Sequence, residues 1–202
     1  MFSLPLDRTA HLSPLEVWHA EEFAAHMGRA ADYIRPWVGQ RFVTDSIESA
    51  VATLRRYAER QANDEARLFG IWHQGTLVGG VMFANFNASS SVCEIGCWLE
   101  PAAEGRGLVT NACRLLLEWA FDARGIHRAE WHCRADNERS VAVAQRLGML
   151  LEGVHRDSWI YDGTRYDKVV WSILRREWSP QLRPVEGCPE KTLWVRGGPL
   201  DG

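Results

Sequence analysis

The run Glu104-Gly105-Arg106-Gly107-Leu108-Val109-Thr110 constrains this chain more than any other stretch, because of what flanks it. Residues 93–99 read as a strand, and residues 111–124 carry apolar side chains at helical spacing. A glycine-bearing turn between a strand and a helix suits a phosphate group. With no side chains in the way, backbone N–H groups approach an anion closely, and the free N–H groups of the helix's first turn face it. Alone, Gly-x-Gly is weak evidence, and its meaning depends on the rest of the chain.

A length of 202 residues suits one domain with an appendage and allows a sizeable core. The net charge is −3 and no Lys/Arg block is present, which argues against a nucleic-acid partner. No apolar run is long enough to span a membrane and the first residues lack a signal-peptide pattern. A cytoplasmic protein without a membrane partner is expected, either alone or as a homodimer. The cysteines are Cys93, Cys97, Cys113, Cys133 and Cys188. An odd count without Cys-x-x-Cys spacing argues against a disulfide framework and a zinc cluster, so no metal is expected. His132 and Cys133 are neighbours on a strand and point to opposite faces, which marks them as ordinary strand residues.

Along the chain, residues 9–15 suit a first strand, stopped or held at an edge by Pro14. Residues 16–27 suit a helix capped by Ser13, residues 30–38 a second short helix, and residues 46–63 an amphipathic helix with Ile47, Val51, Leu54 and Ala58 on one side. The period then changes. Residues 67–73 and 76–86 are strand-like across Gln74-Gly75, and residues 92–99 form the next strand. A helix follows the glycine loop and ends near Gly125. Residues 128–134 are a strand, 137–147 a helix closed by Gly148, and 149–160 with 166–174 a final hairpin across Asp162-Gly163. The order predicts an α+β domain over residues 1–178 with a mixed sheet, followed by a Pro/Gly-rich tail at 179–202. Ligands should gather at the C-terminal ends of strands.

Four segments stand in a consistent order. They are Glu94-Ile95-Gly96-Cys97-Trp98-Leu99; the loop Gly105 to Thr110; Asn137-Glu138-Arg139-Ser140 with Leu147-Gly148-Met149 and Glu152-Gly153; and Gly163 with Asp167, ending at Glu177-Trp178. Together they resemble the GNAT superfamily of acetyl-CoA-dependent N-acetyltransferases, most of all its RimJ/RimL branch, which acetylates ribosomal-protein N-termini and has relatives acting on small amines. The resemblance implies a mostly antiparallel central sheet flanked by helices, with a splayed central strand pair. It implies acetyl-CoA as co-substrate, with the pantetheine arm between the splayed strands, paired to backbone groups of Cys97 and Leu99. An N–H near Trp98 would polarise the thioester carbonyl. The pyrophosphate would sit on the amides of Glu104, Gly105, Arg106, Gly107, Leu108, Val109 and Thr110, and Asn137 would bond the pantetheine. The chain departs from the family's habits at Ala102, where Gln or Arg is common, and at Ala144, where a tyrosine acid is common. Glu104 also places an acid beside the expected phosphates.

Acetyl transfer to an amine needs a neutral amine, a polarised carbonyl and a proton for the leaving thiolate. Ser140 shares a helix face with Asn137 and is the candidate acid; otherwise it is a surface serine. Glu94, an acid in an otherwise apolar strand, is the candidate base; otherwise it is a salt-bridged structural acid. Roughly a tenth of an α-amine is neutral at pH 7, against less than about a thousandth of a lysine, so an α-amine makes the smaller demand on a base. Arg106 and Arg146 are candidate phosphate contacts or solvated arginines. Trp37, Trp159 and Tyr161 are candidates for the acceptor side or for packing. His127 and His132 have no sequence neighbour that makes them catalysts. The leading expectation is an N-acetyltransferase acting on a protein N-terminus or a small amine. The rival is a non-catalytic acyl-CoA sensor or scaffold, motivated by Ala144.

Overall fold

The computed structural model describes residues 3–39 and 42–179. The expected tail therefore lies, beyond Ser179, outside the described residues, as does Cys188.

The described residues form one eight-stranded sheet and four α-helices. The elements are β1 (Leu4–Pro5), β2 (Ala10–Pro14), α1 (Ala20–Ile34), α2 (Ile47–Ala62), β3 (Arg67–His73), β4 (Thr76–Asn87), β5 (Val92–Leu99), α3 (Leu108–Glu118), β6 (Arg128–Arg134), α4 (Glu138–Arg146), β7 (Leu150–Tyr161) and β8 (Thr164–Leu174). The strand order is β1-β2-β3-β4-β5-β6-β8-β7, antiparallel at every pairing except β5 with β6. This is the mixed, mostly antiparallel sheet that the resemblance implies.

Local chemistry sets the hairpins. Gln74 and Gly75 both have positive φ (50° and 80°), as do Asp162 and Gly163 (47° and 71°), the pattern whose twist matches paired strands. Ser46 caps α2, its hydroxyl accepting from the Ser49 N–H at 3.1 Å.

Three helix expectations are corrected. The two short helices expected at 16–27 and 30–38 are the single helix α1, continuous through Gly28. A helical glycine costs only about 1 kcal/mol, and the buried row Phe23, Met27, Ala30 and Ile34 holds the helix together across it. Ser13 is not its cap. It ends β2 beside Pro14, and a short 3-10 turn at Val17–His19 leads into α1, with the Glu16 N–H donating to His19 Nδ1 at 3.0 Å. In α2 the buried face is Ala50, Thr53 and Leu54, while Ile47 stays exposed.

Helices α1 and α2 cover one face of the sheet, packing Phe23, Met27 and Leu54 with Leu68, Met82 and Trp98. On the other face α3 and α4 pack Leu108, Cys113, Leu116 and Ala144 with Cys93, Ile95, Trp131 and Trp171. Odd-numbered β5 residues thus face α3, and Glu94, Gly96 and Trp98 face α1. The parallel ladder runs only from Val92 opposite Arg128 to Ile95 opposite Trp131. Past Ile95, β5 continues along β4 to Leu99, while β6 follows β8. The two central strands therefore fork, and among the described residues the β5 edge from Gly96 to Leu99 has no strand on its β6 side.

Candidate active site

The fork opens into a cavity of about 1170 Å³. Its walls come from the end of α1 and the turn after it, α2, β5, the glycine loop with α3, β6, α4 and the β7–β8 hairpin. The walls include Glu94, Cys97, Trp98, Leu99, Glu104, Gly105, Gly107, Leu108, Val109, Thr110, Asn137, Ser140, Arg146, Trp37 and Trp159. Most of the residues singled out from sequence thus meet in one space.

Two of them do not. Arg106 is absent from the cavity wall; its Nη1 lies 2.9 Å from His73 Nε2, so the side chain leans out towards β3. Tyr161 also lies outside the wall, at the far end of β7 beside the hairpin turn. The side chains that reach the cavity in their place are Arg114 and Arg139. Neither carries a sequence signal, because only the packing of α3 against α4 turns them inward.

At the glycine loop, Gly105 and Gly107 hold φ of 76° and 72°, a region that side-chain-bearing residues avoid. Gly107 is the residue before α3, so the N–H groups of Leu108, Val109 and Thr110 are the free donors of the first turn. A Cβ at either glycine would meet no protein atom within 4 Å, which is the open approach a phosphate needs. Arg114 Nε is buried without a partner, and Arg139 and Arg146 line the same wall. The Glu104 carboxylate is not loose beside these donors. It accepts from Tyr33 Oη at 2.6 Å and from Arg139 Nη1 at 3.5 Å, and Arg139 stacks over the Tyr33 ring at 4.4 Å. The acid thereby ties α1 to α4 across the cavity mouth.

Midway along the cavity, Trp98 is fixed from behind. Its indole N–H donates to His26 Nε2 at 3.0 Å, and its ring meets Phe42 at 4.8 Å. Gly80 makes room for it, since a Cβ there would overlap both the Trp98 ring and the Phe69 carbonyl oxygen. Asn137 caps α4, its Oδ1 accepting from the Ser140 N–H at 3.2 Å. Ser140 Oγ accepts from Trp131 Nε1 at 2.9 Å. With the indole occupying a lone pair, the hydroxyl keeps its own proton to donate. Ala144 is fully buried in the core beneath, so it sits away from the cavity.

At the other end, Glu94 lines the cavity with Arg56, Tyr57, His132, Trp159 and Lys168. His132 has a partner after all, with Nδ1 3.4 Å from Glu94 Oε1. The four described cysteines are free thiols. Burial pushes Cys97 up to about 12 and raises Cys133, so neither presents a thiolate at neutral pH. Among the described residues, no three His, Cys, Asp or Glu side chains group as metal ligands, and no helix is long and apolar enough to cross a membrane.

The geometry fits what is known of similar proteins. An acetyltransferase (GNAT) domain model matches residues 10–150. YdaF of Bacillus subtilis, named provisionally as a ribosomal N-acetyltransferase, is 37% identical over 110 residues; the match covers 54% of this chain and 60% of that protein's length. The [ribosomal protein uS5]-alanine N-acetyltransferase of Escherichia coli is 26% identical over 163 residues, covering 75% of this chain and 84% of its own. Among solved structures, the microcin C7 self-immunity acetyltransferase MccE, in complex with acetyl-CoA and AMP, superposes with a TM-score of 0.76 at 27% identity, covering 84% of this chain and 94% of its own.

Proposed function

The chain belongs to the GNAT acetyltransferase family, and on that footing we propose that it is an acetyl-CoA-dependent N-acetyltransferase that acetylates a primary amine by direct attack on the thioester. The observation that carries this reading is the joining, in one cavity, of a helix start with free N–H groups, an unpaired strand edge and a hydroxyl with a proton to give. Acetyl-CoA supplies the activated acetyl group; the chain's own residues bind, orient and move protons. The N–H groups of Leu108, Val109 and Thr110, with Arg114, Arg139 and Arg146, take the phosphates. The open β5 edge at Cys97 and Leu99 pairs with the pantetheine amides, and Asn137 adds a side-chain contact. The backbone near Trp98, held by His26 and Phe42, polarises the thioester carbonyl. Ser140 donates to the departing sulfur, and Glu94 draws a proton from the amine at the opposite side. High thiol pKa values at Cys97 and Cys133 favour direct attack over an acyl-cysteine step.

The acceptor enters between α2 and the β7–β8 hairpin, past Tyr57 and Trp159. The names of YdaF and the uS5-alanine enzyme make protein N-terminal α-amines the first acceptors to test, before small amines. A cytoplasmic setting goes with this reading. The test is calorimetric titration with acetyl-CoA, then thiol release across N-terminal peptides and small amines. Binding with amine-dependent thiol release is expected. Binding without release from any amine would favour a sensor, and no binding would refute the site.

A further inference from the structure

Where the two central strands part, three titratable side chains meet. Glu94 on β5 stands opposite Glu130 on β6 in the last stretch of parallel pairing, and His132 is two residues further along β6 on the same face. The imidazole sits between the two acids: Nδ1 is 3.4 Å from Glu94 Oε1 and Nε2 is 3.2 Å from Glu130 Oε2. Nε2 is buried and makes no hydrogen bond among the described residues, the Glu130 carboxylate facing it at ion-pair distance. Glu130 is itself fixed, accepting from Arg128 Nε at 2.8 Å. Glu94 and His132 line the cavity, whereas Glu130 stands behind the wall.

We propose that His132 is a positioning residue that acts through Glu94, taking up the proton that the acceptor amine must lose. The proposal rests on the transferase reading above and deepens it. An amine reaches the cavity as an ammonium ion, and a carboxylate alone is a weak place to leave its proton at neutral pH, since carboxyls titrate near 4. A neutral imidazole with its proton on Nε2, facing Glu130, presents a lone pair at Nδ1 to Glu94. The ammonium N–H bond breaks as an O–H bond forms on Glu94, and that bond breaks as an N–H bond forms at Nδ1. The result is a neutral amine, an ionised Glu94 and an imidazolium held between two carboxylates. After the product leaves, the Nδ1 proton passes to water in the emptied cavity.

The other charged groups around the ring are accounted for. Arg56 and Tyr57 of α2 and Lys168 of β8 line the same cavity, and both cations oppose the imidazolium. Arg134, two residues along β6, is engaged by Asp136 and stacks on Trp37 and Tyr166. Ser172, opposite Glu130 on β8, donates to Glu152 at 2.7 Å. Among the described residues, only Glu94 and Glu130 set a carboxylate against the ring nitrogens.

The test compares wild type, His132→Gln and Glu130→Gln by acetyl-CoA affinity and by pH profiles of kcat and kcat/KM with a reactive amine. In folded His132→Gln, turnover at pH 7 should fall by roughly 10- to 100-fold, with acetyl-CoA affinity kept. The acid limb of its profile should change, because the proton no longer passes to an imidazole, and added imidazole should restore part of the rate. Unchanged turnover and an unmoved acid limb would overturn the proposal while leaving the transferase reading intact. Wild type that binds acetyl-CoA but releases no thiol with any amine would overturn both. Should His132→Gln not fold, His132→Asn takes its place. In Glu130→Gln turnover should fall with acetyl-CoA affinity kept, and unchanged turnover in the folded variants overturns the proposal.

Discussion

Acidification should loosen the cavity wall at Trp98 through one histidine. His26 is fully enclosed on α1, with Nε2 accepting from the Trp98 indole at 3.0 Å and Nδ1 3.3 Å from Glu100 Oε2. Burial outweighs the pull of Glu100 and lowers the His26 pKa to about 4 from an ordinary 6.5. A proton on Nε2 would also set two donors, ring and indole, against each other. Because the folded value lies below the unfolded one, the unfolded chain binds more protons throughout this window. The stabilisation is complete above pH 6.5 and is lost progressively as pH falls towards 4. A gap of about 2.5 pKa units corresponds to about 3 kcal/mol, a large share of the 5–15 kcal/mol that usually holds a domain together. Urea unfolding of wild type and His26→Gln, at steps from pH 7 to pH 4.5, isolates this contribution from other acid-titrating groups. The glutamine carbonyl can still accept from Trp98 but does not titrate. Wild type should lose stability across the window more steeply than the variant, and Trp98 fluorescence should change in parallel. Equal slopes would refute the assignment of a buried neutral His26.

Three further outcomes are expected. Gly107→Val should weaken CoA binding about tenfold, because a β-branched residue in the left-handed region costs roughly 1–2 kcal/mol and its side chain enters the phosphate approach; an unchanged Kd in the folded variant would remove the loop assignment. Ser140→Ala should lower kcat far more than CoA affinity. It should also cost about 1–3 kcal/mol of stability, since the Trp131 indole loses its acceptor; full kcat would remove the acid role. Gly80→Ala should destabilise the fold by about 3 kcal/mol or more, because the added methyl meets a backbone carbonyl that has nowhere to go; a thermal midpoint equal to wild type would show that Trp98 can shift freely.

Several features were legible because they depend on residues close in sequence. The hairpin turns at Gln74-Gly75 and Asp162-Gly163, the helix that starts at Asn137 and the glycine turn before α3 all follow from local backbone and side-chain chemistry. Their order was enough to point to the GNAT sheet. Other features were not legible, because they depend on which distant residues become neighbours. The sequence suggests two helices, at 16–27 and 30–38, yet packing of Phe23, Met27, Ala30 and Ile34 carries α1 through the gap between them. Arg106 reads as either a phosphate contact or a solvated arginine, and β3 decides the matter by bringing His73 beside it. Arg114 and Arg139 are not singled out by the sequence, and reach the cavity because α3 and α4 both wall it.

His132 is the clearest case. Nothing near it in the chain is a partner for Nδ1, and the nearby Glu130 faces it only because alternate strand residues share a face. Its contact with Glu94 exists because β5 and β6 pair in parallel with Glu94 opposite Glu130, and then part. Local propensity and turn chemistry act over a few residues and are written in the chain. Parallel register is set by how both faces of the sheet bury their side chains at once, so only the tertiary structure decides which acid meets which base.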